Sequence, residues 1–181
     1  MTGFQKAFTV CAWVNPWHTG NTFGTWFSYF GAPNAYDEIV ITDRLNYLHE
    51  IFNLAVGGST MLVRGSWTHQ CMVWDFATLK ADTYLAGQKV VSKGTPSGRT
   101  LIAGGNIVLG QDQDSLGGGF AANEAFGGEL YQLNMWNRSL EAEEIAGMAK
   151  DGLCGSLEDD LAEEITLPWQ HFLDAQRFHL L

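Results

Sequence analysis

Ile107-Val-Leu-Gly-Gln-Asp-Gln-Asp-Ser-Leu-Gly-Gly-Gly-Phe120 runs a hydrophobic, strand-like segment directly into alternating acids and then three glycines. Strand character stops at Gly110, because glycine offers a pleated surface no side chain and frees the backbone to turn. The same pattern recurs outward in both directions. Short β-type runs at Ala7 to Val14, Thr25 to Phe30, Glu38 to Thr42, His49 to Val56, Ser59 to Val63, His69 to Trp74, Thr83 to Leu85 and Glu129 to Trp136 join Ile107 to Leu109. Between them stand turn signals at Asn34, Gly57-Gly58, Gly65, Ala86-Gly87, Pro96-Ser-Gly98 and Gly104-Gly105. This spacing predicts an all-β, antiparallel two-sheet sandwich. The 21 glycines against 4 prolines agree, since each interior glycine would cost a helix about 1 kcal/mol. One short C-terminal helix is expected across one sheet, with Ser139 as its cap, Glu141, Glu143 and Glu144 at its positive end, and Lys150 and Gly152 at its close. The remainder, 155–181, holds the acidic patch Glu158-Asp-Asp160 with Glu163-Glu164 and then Leu167-Pro-Trp169, and is left as an unassigned tail.

At 181 residues the chain, 1–181, reads as one domain, long enough to bury roughly 70% of the surface it exposes when unfolded. A 46% hydrophobic and 17% charged composition excludes a disordered tail and a heptad rod. The net charge of −10 repels phosphate backbones and anionic membranes, which excludes nucleic acid as a partner. No apolar run approaches the ~18 residues that span a bilayer. The start, Met1-Thr-Gly-Phe-Gln-Lys6, lacks the zones of a secretory signal peptide. Cys11, Cys71 and Cys154 cannot all pair within one chain, and one pair plus one leftover is the simplest arithmetic. Cys11 and Cys71 lie in strand-like runs that can face each other, with a buried reduced pair as the alternative.

Residues two apart in an extended segment point the same way, so Asp112 and Asp114 aim at one spot with the Gln113 carbonyl beside them. Two adjacent anions invite a cation. Gly117, Gly118 and Gly119 permit a sharp return that carries Asn123 and Glu124 to the far side of that spot. Ca²⁺ takes roughly six to eight such oxygens; the plain alternative is a solvated acidic loop. His18, His49, His69, His171 and His179 show no metal-ligand spacing, and His69 reads as packing. Glu129-Leu-Tyr-Gln-Leu-Asn134 offers one acid where a glycosidase strand needs two, so no enzyme is expected. Trp13, Trp74 and Trp136 fall inside strand patterns, whereas Trp17 and Trp67 fall in turns, and Trp17 is the candidate for stacking on a sugar. Asn137-Arg-Ser139 is a glycosylation sequon, used if the chain is exported.

Leu109-Gly-Gln-Asp-Gln-Asp-Ser115, Ala125-Phe-Gly-Gly-Glu129 and Leu133-Asn-Met-Trp-Asn137 resemble consecutive hallmarks of the pentraxin domain family. Ala7-Phe-Thr-Val-Cys11, Phe27-Ser-Tyr29, Asp37-Glu-Ile-Val-Ile41, Val56-Gly-Gly-Ser59 and His69-Gln-Cys71 with Trp74 follow the family's order, although Val73 and Phe76 stand where its signature has Ser or Thr. The resemblance, over residues 7–150, implies a flattened jelly roll with a Cys11–Cys71 disulfide, paired Ca²⁺ ions on one face, a helix on the other and frequently a cyclic homo-oligomer. It also implies that the chain lacks the family's N-terminal strand and is a module of a larger secreted or receptor protein.

Carried over by position, the resemblance makes Asp112, the carbonyl of Gln113, Asp114 and Glu124 calcium ligands, with Glu124 where the family commonly has Gln. Of the family's Asp-Asn pair, replaced here by Tyr36-Asp37, only Asp37 keeps a ligand of the expected kind. Ala121 stands where the second ion has its acid, so one well-held Ca²⁺ and a weak or absent second are expected. Thr42 and Thr60 replace the phosphocholine wall, which disfavours that ligand and leaves an anionic small molecule, a glycan or a protein. The expected function is calcium-dependent extracellular recognition without catalysis, on a secreted glycoprotein. The alternative is a calcium-independent structural or protein-interaction module of an adhesion protein or receptor ectodomain. Cys154 is left to bridge another chain or segment, or to stay free.

Overall fold

Phe8, Val10, Ala12 and Val14 alternate with Thr9 and Cys11 along β1 (Ala7–Pro16), and both sets are buried. Side chains alternate across a strand, so β1 has no solvent face and must carry a layer on either side. The computed structural model describes residues 6–17, 24–31, 37–43, 49–51, 54–55, 62–94, 101, 104–155 and 159–176, with backbone alone at 37–38, 49–51, 54–55, 159, 172 and 174–176.

The remaining strands are β2 (Thr25–Phe30), β3 (Asp37–Thr42), β4 (His49–Ile51), β5 (Leu54–Ala55), β6 (Thr68–Asp75), β7 (Lys80–Leu85), β8 (Gln88–Gly94), β9 (Asn106–Leu109), β10 (Gly128–Trp136) and β11 (Ile165–Leu167). They form a six-stranded sheet ordered β11-β10-β1-β6-β7-β8 and a five-stranded sheet ordered β5-β4-β3-β2-β9, with antiparallel neighbours throughout. The expected antiparallel sandwich is what the chain builds.

Between the sheets, Phe8, Val10 and Val14 of β1 meet Met72 and Trp74 of β6 and Leu133 and Met135 of β10 from one side. Trp26, Phe27 and Tyr29 of β2 and Ile39 and Ile41 of β3 meet them from the other. The Trp26 indole N–H donates to Gln70 Oε1 across this core at 3.2 Å.

The other side of β1 is covered by α1 (Ala142–Asp151), whose Ile145 is fully buried against Cys11, Cys71, Val73, Tyr84 and Trp136. Cys11 and Cys71 are register partners on β1 and β6 and are disulfide-bonded on this outer face. A link across a sequence separation of 60 contributes roughly 2–4 kcal/mol. Gly87, in the β7–β8 turn, has φ +78° and would place a Cβ 3.0 Å from Ala146 Cα, so the helix can approach only a glycine there.

Several local expectations are corrected. The helix begins after Glu141, not at Ser139: the Glu144 carboxylate accepts from the Glu141 backbone N–H at 2.6 Å, while Ser139 Oγ is buried without a partner. Gly152 does end the helix, at φ +72°. The run from His49 divides into β4 and β5; Ser59 to Val63 is no strand at 62–63, and 56–61 lie outside the described residues. β8 is absent from the expected runs; it is an edge strand that exposes Lys89 and Lys93. The unassigned tail supplies α2 (Asp159–Glu163), β11 and α3 (Trp169–Gln176).

Arg138 fastens that tail: its guanidinium donates to both Glu144 oxygens, at 2.9 and 2.6 Å, and to Glu164 at 2.6 Å. Hydrogen bonds from the Arg138 guanidinium, helped by its charge, hold the Glu144 carboxyl below its ordinary range. In β10, Gln132 has φ +50° and, with Leu133, stands opposite the single residue Ala12. This bulge reverses the inward-facing parity, so that Leu130 before it and Leu133 after it both face the inner core.

His69 is buried on the outer face beside the Trp13 ring and 3.8 Å from Cys71 Sγ, as packing and without a cationic role. Burial pushes its pKa down from 6.5 to about 4. The unfolded chain therefore binds the proton first as pH falls, and the stability held above pH 6.5 is lost progressively down to about pH 4. At 1.36 kcal/mol per unit the loss is about 3 kcal/mol. Urea unfolding between pH 7 and 4 should show a shallower slope in His69→Gln than in wild type; equal slopes would remove His69 as the source.

Candidate functional site

The segment after β9 is closed at its base. Gly110 N–H donates to the Trp26 carbonyl at 3.2 Å, Phe126 N–H to the Gly110 carbonyl at 3.0 Å, and Ala125 bridges Thr25. Within this loop the chain folds back over the five-stranded sheet, on the face away from the core. Ser28, whose neighbours Phe27 and Tyr29 point inward, donates from Oγ to the Gln111 carbonyl at 2.9 Å. Gln113 is fully buried, and its amide reaches the Asn106 carbonyl at 3.2 Å. A tight Ser115–Gly118 bridge follows, and Gly117 and Gly119 have φ +69° and +77°. At Gly119 any Cβ would lie 2.6 Å from the Asp114 Cβ, so this return requires glycine.

Their spacing aims Asp112 and Asp114 at one spot, to which the three glycines are expected to return Glu124. Glu124 ends a short 3-10 turn, Ala122–Glu124, and its Oε2 is buried without a hydrogen-bond partner. Its pKa is raised, first by burial and then by the negative charges of Asp112 and Asp114. The three carboxylates thus share one electrostatic neighbourhood. Among the described residues, however, the one set of three metal-ligating side chains with donor atoms all within 4.8 Å is Cys11, His69 and Cys71, whose sulfurs are spent in the disulfide. Asp112, Asp114 and Glu124 do not all bring an oxygen within that distance of one another. Their all-oxygen donor set and the orphaned Glu124 oxygen suit a hard cation such as Ca²⁺.

Asp37 opens β3 opposite Phe30, and Phe30 pairs on its other side with Asn106. The backbone of Asp37 is thereby level with the strand end to which the loop returns, and its side chain lies outside the described residues, as do Tyr36 and Thr60. Thr42 is buried at the end of β3. Ala121 accepts the Glu124 N–H through its carbonyl at 3.0 Å and has no side-chain oxygen to offer. Asn123 and Trp17 are exposed; His171 is in α3, far in sequence from any other ligand; His18 and His179 lie outside the described residues. Asn137 is exposed just after β10, and Cys154 is an exposed free thiol. The residues that sequence reasoning missed are Ser28, Asn106 and the side chain of Gln113. Their signal was a lone serine inside the apolar run Thr25-Trp-Phe-Ser-Tyr-Phe30.

Residues 3–171 match the family described as the Pentaxin family. The chain is 34% identical over 146 residues to neuronal pentraxin-2 of Homo sapiens, covering 79% of this chain and 33% of that protein. It is 34% identical over 145 residues to C-reactive protein of Rattus norvegicus, covering 77% of this chain and 60% of that one. The chain thus spans about a third of the first of these relatives and less than two thirds of the second. In fold it is similar to the native heptameric SAP-like pentraxin from Limulus polyphemus, with a TM-score of 0.71 at 23% identity over 87% of this chain and 77% of that one.

The raised Glu124 pKa has two sources that can be separated. Asp112→Asn removes one negative charge and should lower the Glu124 pKa in an ion-free NMR titration, yet leave it above 4.5 because burial is the larger cause. An unchanged value would show that Asp112 and Glu124 do not face each other.

Proposed function

The chain belongs to the pentaxin family, and from this premise we propose that it is a calcium-dependent extracellular recognition module for an anionic or hydroxyl-rich ligand. Pentraxins are non-catalytic ligand-binding modules, often calcium-dependent and generally secreted. No described helix is long and apolar enough to cross a membrane.

The observation that carries the proposal is a loop closed at its base that returns Glu124, with Oε2 buried and unpartnered, to the negative charges of Asp112 and Asp114. Asp112, Asp114 and Glu124 would hold Ca²⁺ through carboxylate oxygens, Gln113 through its main-chain carbonyl, and Asp37 from the neighbouring strand. Ca²⁺, when bound, supplies a positive centre whose remaining positions take phosphate, carboxylate or vicinal hydroxyl oxygens of a ligand. The protein's part is to hold the oxygens and to leave that side open. Ca–O distances of about 2.4 Å set opposing oxygens of the shell no more than about 5 Å apart, so the site brings like-charged carboxylates close together. Their mutual repulsion, registered at Glu124, is what a divalent charge relieves.

Ala121 supports one firm ion and a weak or absent second. The same residue favours the second reading, a calcium-independent structural or protein-binding module. The proposal extends to glycosylation at exposed Asn137 and to a cyclic homo-oligomer, as in the heptameric relative.

Calorimetry should show heat on addition of millimolar Ca²⁺. The unfolding transition should rise by about 2.7 kcal/mol of added stability at a hundredfold excess over Kd. Asp112→Ala and Asp114→Ala should each abolish both signals. A wild-type protein with neither heat nor thermal shift would establish the calcium-independent reading.

A further inference from the structure

We propose that Ser28 and the side-chain amide of Gln113 form a positioning clamp that sets the distance between Asp112 and Asp114; this rests on the calcium reading above. The assignment of Gln113 as a ligand uses only its main-chain carbonyl, and its side chain has a separate task. Gln113 Nε2 donates to Ser28 Oγ at 3.0 Å, to the Asn106 carbonyl at 3.2 Å and to the Ser28 carbonyl at 3.4 Å. Its Oε1 accepts the Gly117 N–H at 3.0 Å. The Ser28 hydroxyl, meanwhile, donates to the Gln111 carbonyl at 2.9 Å.

One buried hydroxyl therefore holds the residues on both sides of Asp112, as donor to Gln111 and acceptor from Gln113. One buried amide holds both sides of Asp114, through its own backbone and through Gly117. Both side chains are fully buried, and each polar atom in the set has a partner, the condition under which a buried polar network fixes geometry. A methionine would fill the same space and make none of these bonds, so shape alone does not account for an amide at this position. The clamp also hangs the loop from β2, a central strand of the five-stranded sheet, so the acids inherit the rigidity of the sandwich.

The test compares wild type, Ser28→Ala, Ser28→Thr and Gln113→Met by Ca²⁺ calorimetry and by amide hydrogen exchange in the ion-free protein. Ser28→Ala and Gln113→Met should lose roughly 10- to 100-fold in Ca²⁺ affinity, the usual effect of removing a group that orients metal ligands. Ser28→Thr, which keeps the hydroxyl, should retain the wild-type affinity. Without ion, the Gly117 amide should exchange faster in Gln113→Met, while amides of β1 and β6 stay protected and report an intact fold. If Gln113→Met does not fold, Ser28→Ala decides alone. Folded variants that bind Ca²⁺ as tightly as wild type overturn the clamp and leave the calcium reading standing. A wild-type protein with no calcium signal overturns the calcium reading, and the positioning role with it.

Discussion

A strand without a wet side is the constraint on which this architecture turns. β1 puts Phe8, Val10, Ala12 and Val14 into the inter-sheet core and Thr9 and Cys11 against the helix layer. Neither layer is optional, because removing either would expose a full row of apolar or sulfur-bearing side chains to water. Thr9 shows how closely the two are joined: its hydroxyl donates to the Arg138 carbonyl at 2.8 Å and accepts the Leu140 N–H at 3.0 Å, fixing the approach to α1. The disulfide lies in the same row, roofed by Ile145.

Much of this was legible because alternation and turn residues act locally. β2 matches its expected bounds, Thr25 to Phe30, since an apolar run of aromatic and β-branched residues has few competing conformations. The helix was legible as an element, but its first residue was not. Ser139 has the chemistry of a cap, yet Arg138 and Thr9 hold the entry in a shape that places Glu141 there instead, which is a tertiary effect. β8 failed for a different reason. Its apolar signal is confined to Val90 and Val91, which pack on the inner core between exposed lysines, too short a run to mark a strand until β7 offers it a ladder.

The acidic loop divides along the same line. Asp112 and Asp114 could be paired from spacing alone, and Glu124 followed from what three glycines allow. The amide of Gln113 could not be read, because its partners Ser28 and Asn106 are remote in sequence or belong to other strands, and burial of a glutamine leaves no trace in a one-dimensional pattern. Ser28 did leave one, as the polar exception in an apolar run, although its meaning depended on knowing what lies over it. Asp37 is placed at the site by resemblance alone; the structure sets its backbone opposite Phe30.

Gln132 adds one residue to β10 that has no counterpart on β1, and this has an arithmetical effect on the molecule. Upstream of it the even-numbered positions serve the inner layer; downstream the odd-numbered ones do, so Leu130 and Met135 can be in the same oily stratum while Trp136 serves the roof. A relative lacking that extra link would have to surrender one of those allegiances or find a compensating slip elsewhere. The parity of one strand's length is thus tied to the existence of a third layer.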